Sequence, residues 1–228
     1  VKVILEKEGT VSPAWIAVLG TYRPLNSFSW ANALLKTEWP DEIKKIIVRQ
    51  VCNVREEQAL HSKIPCLNSI DDKVSQLVRN QYEENPYPRW INTGLSDKPK
   101  SISQVLKTNK LHLDFEMQQF SNKPDILIAG CGTGQHALST ASNFLNCNVL
   151  AIDLSLTSLS YAKRKTQELG IKNIEYMQGD ILKLDQLERE FDIIECAGVL
   201  HHMDDPLAGW NILVGKLCTG GVMKIGLY

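Results

Sequence analysis

The stretch Asp125–His136, reading DILIAGCGTGQH, constrains the fold of this chain more than any other. Its apolar run, entered through Lys123-Pro124 and ending at Ala129, reads as a strand buried on both faces. The run passes directly into Gly130-Cys131-Gly132-Thr133-Gly134 and then into helix-permissive sequence from Gln135. A strand, a tight glycine turn and a helix N-terminus let the backbone come close to a ligand and present N–H groups at the positive end of a helix dipole. Three spaced glycines alone could equally be a plain strand-to-helix join, so the sequence around them must decide.

Downstream the chain alternates strand and helix. A helix over 135–146 is followed by strand Asn148–Asp153, and then by a helix capped by Ser155 and ending at Gly170. Further strands are expected at Asn173–Gln178, Phe191–Cys196 and Val222–Tyr228. Asp205 and Pro206 start the helix before the last strand. Leu207, Trp210, Leu213 and Leu217 form its stripe, and Gly220-Gly221 ends it. Repeated βα units with near-continuous apolar strands predict an α/β fold, a doubly wound parallel sheet. In such a sheet ligands lie beyond the C-terminal strand ends. Those ends hold the glycine turn, then Asp153-Leu154, then Gly179-Asp180-Ile181, then Ala197-Gly198 followed by His201 and His202. Asp153 or Asp180 could serve only as a helix or turn cap. His201 could be a general base or could have a packing or capping role.

Residues 1–79 read as a helical region, 80–120 as a linker or lid, and 121–228 as the α/β domain. Asp41 is the expected N-cap of a helix carrying Ile43, Ile46, Ile47 and Val51, and Asp71 or Asp72 that of one carrying Val74, Leu77 and Val78. Both stripes read as core. In Asn80–Trp90 two prolines and the residues before them disfavour helix and favour a stiff extended path. Such a segment is either a clasp that packs the helical part on the α/β part, or a lid. As a lid it would carry Arg89 to a carboxylate and Tyr82 or Tyr87 to a reacting centre. Residues 91–120 are polar, with a short helix over 101–106.

A net charge of −1 gives no electrostatic case for nucleic acid or an anionic membrane. No run approaches the ~20 apolar residues of a bilayer span. The six cysteines are scattered, with no CxxC pair and no short His/Cys cluster, which points to reduced thiols in a cytoplasm and to no metal site. The chain opens on Val1 and stops inside an expected strand, and so reads as a piece of a longer protein.

The glycines are spaced GxGxG, with Gln135 where the dinucleotide pattern GxGxxG has its third glycine. Here the chain resembles the class I S-adenosylmethionine (SAM)-dependent methyltransferases. The resemblance implies that Gly130, Cys131, Gly132, Thr133, Gly134 and Gln135 hold the amino-acid and ribose parts of SAM. Asp153 with Leu154 would meet the ribose, Gly179, Asp180 and Ile181 the adenine, and Ala197-Gly198 would line the pocket. Where the family usually has an acidic residue for the SAM amino group, two places before the first glycine, this chain has Ile128. The segment QYEENPYPRW is similar to one that precedes the catalytic domain in a bacterial methyltransferase subgroup, often downstream of tetratricopeptide repeats.

The family's sheet has seven strands, with a hairpin after the fifth, and only five are countable here. The 228 residues alone are therefore expected to bind SAM weakly, self-associate and show no turnover, with the uncut protein active. Two other readings stand beside the methyltransferase: an interaction module with a decayed site, and an NAD(P)-dependent oxidoreductase. The methyl acceptor, a small molecule or a protein side chain, is not readable from the residues, because a sulfonium already carries an activated methyl and asks mainly for alignment.

Overall fold

The computed structural model describes residues 11–108 and 121–227, and the chain divides into two units, Val1–Ala59 and Leu60–Tyr228. In the first, helices α1 (Pro13–Tyr22), α2 (Ala31–Leu34) and α3 (Asp41–Ile47) enclose Ile16, Leu25, Leu34, Ile43, Ile47 and Val51. The expected stripe is thus core. Its cap differs: Pro40 holds the N-cap position with no side-chain bond, and Asp41 sits inside the first turn, where a carboxylate suits the dipole. The helix continues through a wider π-helical stretch, Val48–Cys52, into α4 (Asn53–Leu60).

In the second unit α5 spans Lys73–Glu84, capped by the Asp72 carboxylate, which accepts from Ser75 N. It runs through Asn80–Glu84, where a non-helical path is expected. The steric effect of Pro86 reaches back only to Asn85, the C-cap, so nothing breaks the helix before it. Beyond it the chain is extended, with a cis Tyr87-Pro88 peptide, and α6 follows at Ile102–Thr108. The last part of the expected linker, 109–120, lies outside the described residues.

The sheet comprises β1 (Asp125–Ala129), β2 (Asn148–Asp153), β3 (Ile174–Gln178), β4 (Phe191–Ala197) and β5 (Leu217–Gly226). Helices α7 (Gln135–Asn143), α8 (Leu156–Glu168) and α9 (Pro206–Val214) lie between them in the chain. Every pairing is parallel, in the order β3-β2-β1-β4-β5, so the chain winds outward from β1 in both directions. This is the expected doubly wound α/β sheet. Side chains alternate between two cores: Ile126, Ile128 and Ile193 enter one, and Leu127, Ala129 and Ile194 the other. The strand order reverses beside β1, which places the glycine turn at the topological switch point.

One boundary differs markedly. Helix α9 ends at Val214 with Gly215 as its C-cap, and Leu217 pairs with Phe191 as the first residue of β5. Gly220-Gly221, read as a helix stop, lies inside the strand. There the register jumps between Phe191↔Leu217 and Ile193↔Val222, Gly220 takes φ +78°, and a Cβ on Gly221 would stand 3.0 Å from Asp192 O. The glycines sit at an irregularity in the β4–β5 pairing, which the sequence pattern alone does not separate from a C-cap.

Candidate functional site

A cavity of about 350 Å³ opens above the C-terminal ends of β1–β4. The glycine turn forms its floor. Gly132 has φ +52°, and a Cβ there would approach Tyr87 O at 3.8 Å, so its openness keeps backbone at the cavity wall. Gly134 has φ +83° and a different constraint, since a Cβ would fall 2.5 Å from Ala162 Cβ and push α7 away from α8.

Asp153 ties two loops together. Its Oδ2 accepts from Gly132 N at 2.7 Å and its Oδ1 from Ser155 N at 2.9 Å. Burial pushes its carboxyl up, opposed by these amide bonds and reinforced by the nearby charge of Glu83. Ser155 separately caps α8 by accepting from Ser158 N, as expected. Asp180 is 1% exposed. Its N–H donates to Asn68 Oδ1, and its Oδ1 accepts from Leu182 N. Its Oδ2 is buried with no hydrogen-bond partner, an acceptor held ready at the cavity wall.

Of the residues singled out from sequence, Gly130, Cys131, Gly132, Thr133, Gln135, Asp153, Leu154, Gly179, Asp180, Ile181, Ala197 and Gly198 line this cavity, together with Tyr82 and Tyr87. Gly134 lies beneath the floor. His201 and Arg89 are not among the lining residues. His202 is, with the His201 ring 4.2 Å away; burial and then His201 hold the His202 imidazole below its usual range. Arg89 lies over the Tyr161 ring, 4.7 Å from its centroid.

Asn80–Trp90 is held by hydrogen bonds to the glycine turn and α8. Trp90 is buried; its Nε1–H donates to Thr133 O at 3.0 Å, and its carbonyl accepts from Tyr161 Oη. Thr133 Oγ1 donates to Pro88 O at 2.6 Å. Glu83 accepts from the Leu156 and Thr157 amides at 2.6 and 3.1 Å, closing the open end of α8. The segment is a strap fastened to the glycine turn and α8, and its Tyr82, Tyr87 and Pro88 form a cavity wall.

Two features escaped sequence reasoning. Val74, Ser75 and Val78 of α5 line the cavity while Leu77 is 70% exposed, so a stripe expected as core is mostly wall. The second is a buried polar group behind α7. Thr140 Oγ1 donates to Glu195 Oε2 at 2.6 Å. His136 Nε2 stands 2.9 Å from the same oxygen, an ion-pair distance off the line of a straight ring N–H bond, and Lys224 Nζ is 3.6 Å from Oε1. Burial raises the Glu195 carboxyl, but His136, Thr140 and Lys224 together hold it below the usual range. The only sequence signal was a charged residue inside an apolar strand.

Cys131 gives no nucleophile, since burial and then Asp153 push its thiol well up; burial likewise raises Cys196, to about 12. Among the described residues no three His, Cys, Asp or Glu side chains gather to hold a metal, and no helix is long and apolar enough to cross a membrane.

Comparison with known proteins covers part of the chain. Residues 126–212 match the family model described as a methyltransferase domain. An uncharacterized protein of Synechococcus sp. is 39% identical over 107 residues, 46% of this chain and 26% of that protein. The ubiquinone biosynthesis O-methyltransferase of Actinobacillus pleuropneumoniae is 30% identical over 151 residues, 62% of this chain and 58% of the relative. The chain therefore spans less than two thirds of either relative. A solved S-adenosylmethionine-dependent methyltransferase from Clostridium acetobutylicum aligns with 54% of this chain and 46% of its own, at 26% identity and a TM-score of 0.43.

Proposed function

We propose that the cavity of the second unit takes SAM and that the protein is a SAM-dependent methyltransferase. The observation that carries this is the pairing of two strand-end carboxylates with one open glycine turn. Asp153 reaches that turn, and Asp180 keeps a buried oxygen without a partner. The methyltransferase-domain match over 126–212 supports the same reading.

The residues fit the cofactor's chemistry. Asp153 retains acceptor capacity for the ribose hydroxyls, since each carboxylate oxygen takes more than one bond. Asp180 Oδ2 is the acceptor for the adenine amino group, with Ile181 against the ring. When bound, SAM supplies a methyl on a sulfonium that needs alignment rather than activation. The protein's part is to hold and orient it, and the small Ala197 and Gly198 leave backbone beside the cavity. Tyr82, Tyr87, Val74 and Val78 give the wall an apolar and aromatic character. The acceptor meets that wall, and a similar protein named for O-methyl transfer does not fix this chain's acceptor.

Gln135 in place of a third glycine opposes an NAD(P) site. Calorimetric titration of SAM, S-adenosylhomocysteine, NAD and NADP tests the reading. Saturable binding of the first two alone is expected, and binding of NAD or NADP alone would overturn it. A screen with radiolabelled SAM then identifies the acceptor.

A further inference from the structure

We infer that His136, with Glu195 behind it, binds the amino-acid end of SAM, a role that rests on the cofactor reading above. The sheet order sets the cofactor's direction. Its partners for adenine and ribose, Asp180 and Asp153, follow β3 and β2. The opposite end of the cavity therefore falls at β1 and β4, where Gly130, His136, Ala197 and Gly198 line it. That end of SAM carries an ammonium and a carboxylate, and the ammonium needs an acceptor.

The usual source is missing. Ile128 is fully buried in apolar core. Asp125 stands at the start of β1, bonded to Asn148 Nδ2, at the opposite end of the strand from the cavity. Asp153, at the end of β2, is committed to the ribose hydroxyls, and Cys131 is held as a neutral thiol. The register of the sheet supplies the replacement, because Ile128 pairs directly with Glu195 on β4. Glu195 lies two residues after Ile193, which shares a core with Ile128, and so projects from the same face of the sheet. Glu195 thus holds a carboxylate one strand across from Ile128, at the same level. It is 7% exposed and does not line the cavity, whereas His136 does and stands 2.9 Å from it.

Nε2 stands beside Glu195 Oε2, and an ionised carboxylate cannot donate, so in the neutral ring the tautomer that suits this contact carries its proton on Nε2. Nδ1 then keeps a lone pair that accepts from an ammonium, and the charge of Glu195 behind the ring adds attraction. Thr140 and Lys224 fix the carboxylate in place, and the carboxylate end of the ligand suits the amides of the glycine turn.

The test uses 5′-methylthioadenosine, which shares the adenosine and sulfur of SAM but lacks the amino acid. SAM, S-adenosylhomocysteine and methylthioadenosine are titrated by calorimetry into wild type, His136→Ala, His136→Gln and Glu195→Gln. His136→Ala is expected to weaken the two amino-acid-bearing ligands about tenfold or more, and Glu195→Gln by a smaller factor. Methylthioadenosine should stay within about twofold throughout. Equal weakening of all three ligands, or loss of all binding, in both His136 variants would show a structural role and overturn the proposal, as would unchanged SAM affinity. Wild type binding neither SAM nor methylthioadenosine would instead overturn the cofactor reading, and this proposal with it.

Discussion

Trp90 and Thr133 hold each other's segments in both directions: the indole N–H donates to the Thr133 carbonyl, and the Thr133 hydroxyl donates to the carbonyl of Pro88. The glycine turn is thereby fixed from outside the sheet. Trp90→Phe should cost about 1 kcal/mol from the lost bond, and Trp90→Ala about 3–5 kcal/mol through the cavity left against Leu138 and Tyr161. Urea denaturation measures both, and an unshifted midpoint for Trp90→Ala would contradict the fastening role.

Arg89 separates the lid from the clasp. Its guanidinium lies over Tyr161 and it is not a cavity-lining residue. Arg89→Ala should lower stability by about 0.5–1 kcal/mol and leave SAM affinity within about twofold. A tenfold loss of affinity at unchanged melting temperature would favour the lid.

The two strand-end carboxylates should differ in how they fail. Asp153→Ala removes the Gly132 and Ser155 anchors as well as the ribose acceptor. It should weaken SAM and methylthioadenosine alike, by tenfold or more, and lower the melting temperature. Asp180→Asn can keep its bond to Leu182 N while losing the free oxygen. It should weaken both ligands by about tenfold with little change in melting temperature. Wild-type affinity in either variant would remove that residue from the site.

Glu195 should leave a mark on the pH dependence of stability. Its folded carboxyl is held below the usual value, against burial, by His136, Thr140 and Lys224. A lowered folded value means stabilisation fully present above the unfolded value of about 4.5 and lost as pH falls through the depressed one. The stability gap between wild type and Glu195→Gln should therefore be widest near neutral pH and close on acidification below 4.5. Urea midpoints at pH 7, 5 and 3 would show it. A gap that grows in acid would reverse the sign.

The sheet was legible because five apolar runs sit between glycine turns and capped helices, a pattern with few alternative folds. Cavity residues at strand ends were legible for the same reason, since topology alone places them. Three things were not. Val74 and Val78 carry the same spacing whether they face a core or a cavity. Gly220-Gly221 gives the same local signal at an irregularity in strand pairing or at a helix stop. The link of His136 to Glu195 depends on the register of β4 beside β1 and on α7 packing above it, and neither is encoded within either residue's own neighbourhood.

The strap also has an order of assembly built into it. Glu83 and Trp90 precede their partners Leu156, Thr157, Thr133 and Tyr161 by 43 to 74 residues, so they leave the ribosome before the surface they rest on exists. Closing loops of that span costs entropy that only a formed β1–α8 core can offset. The segment is among the first parts of the second unit to be made and among the last to be seated, and the floor of the cavity stays unbraced until it is.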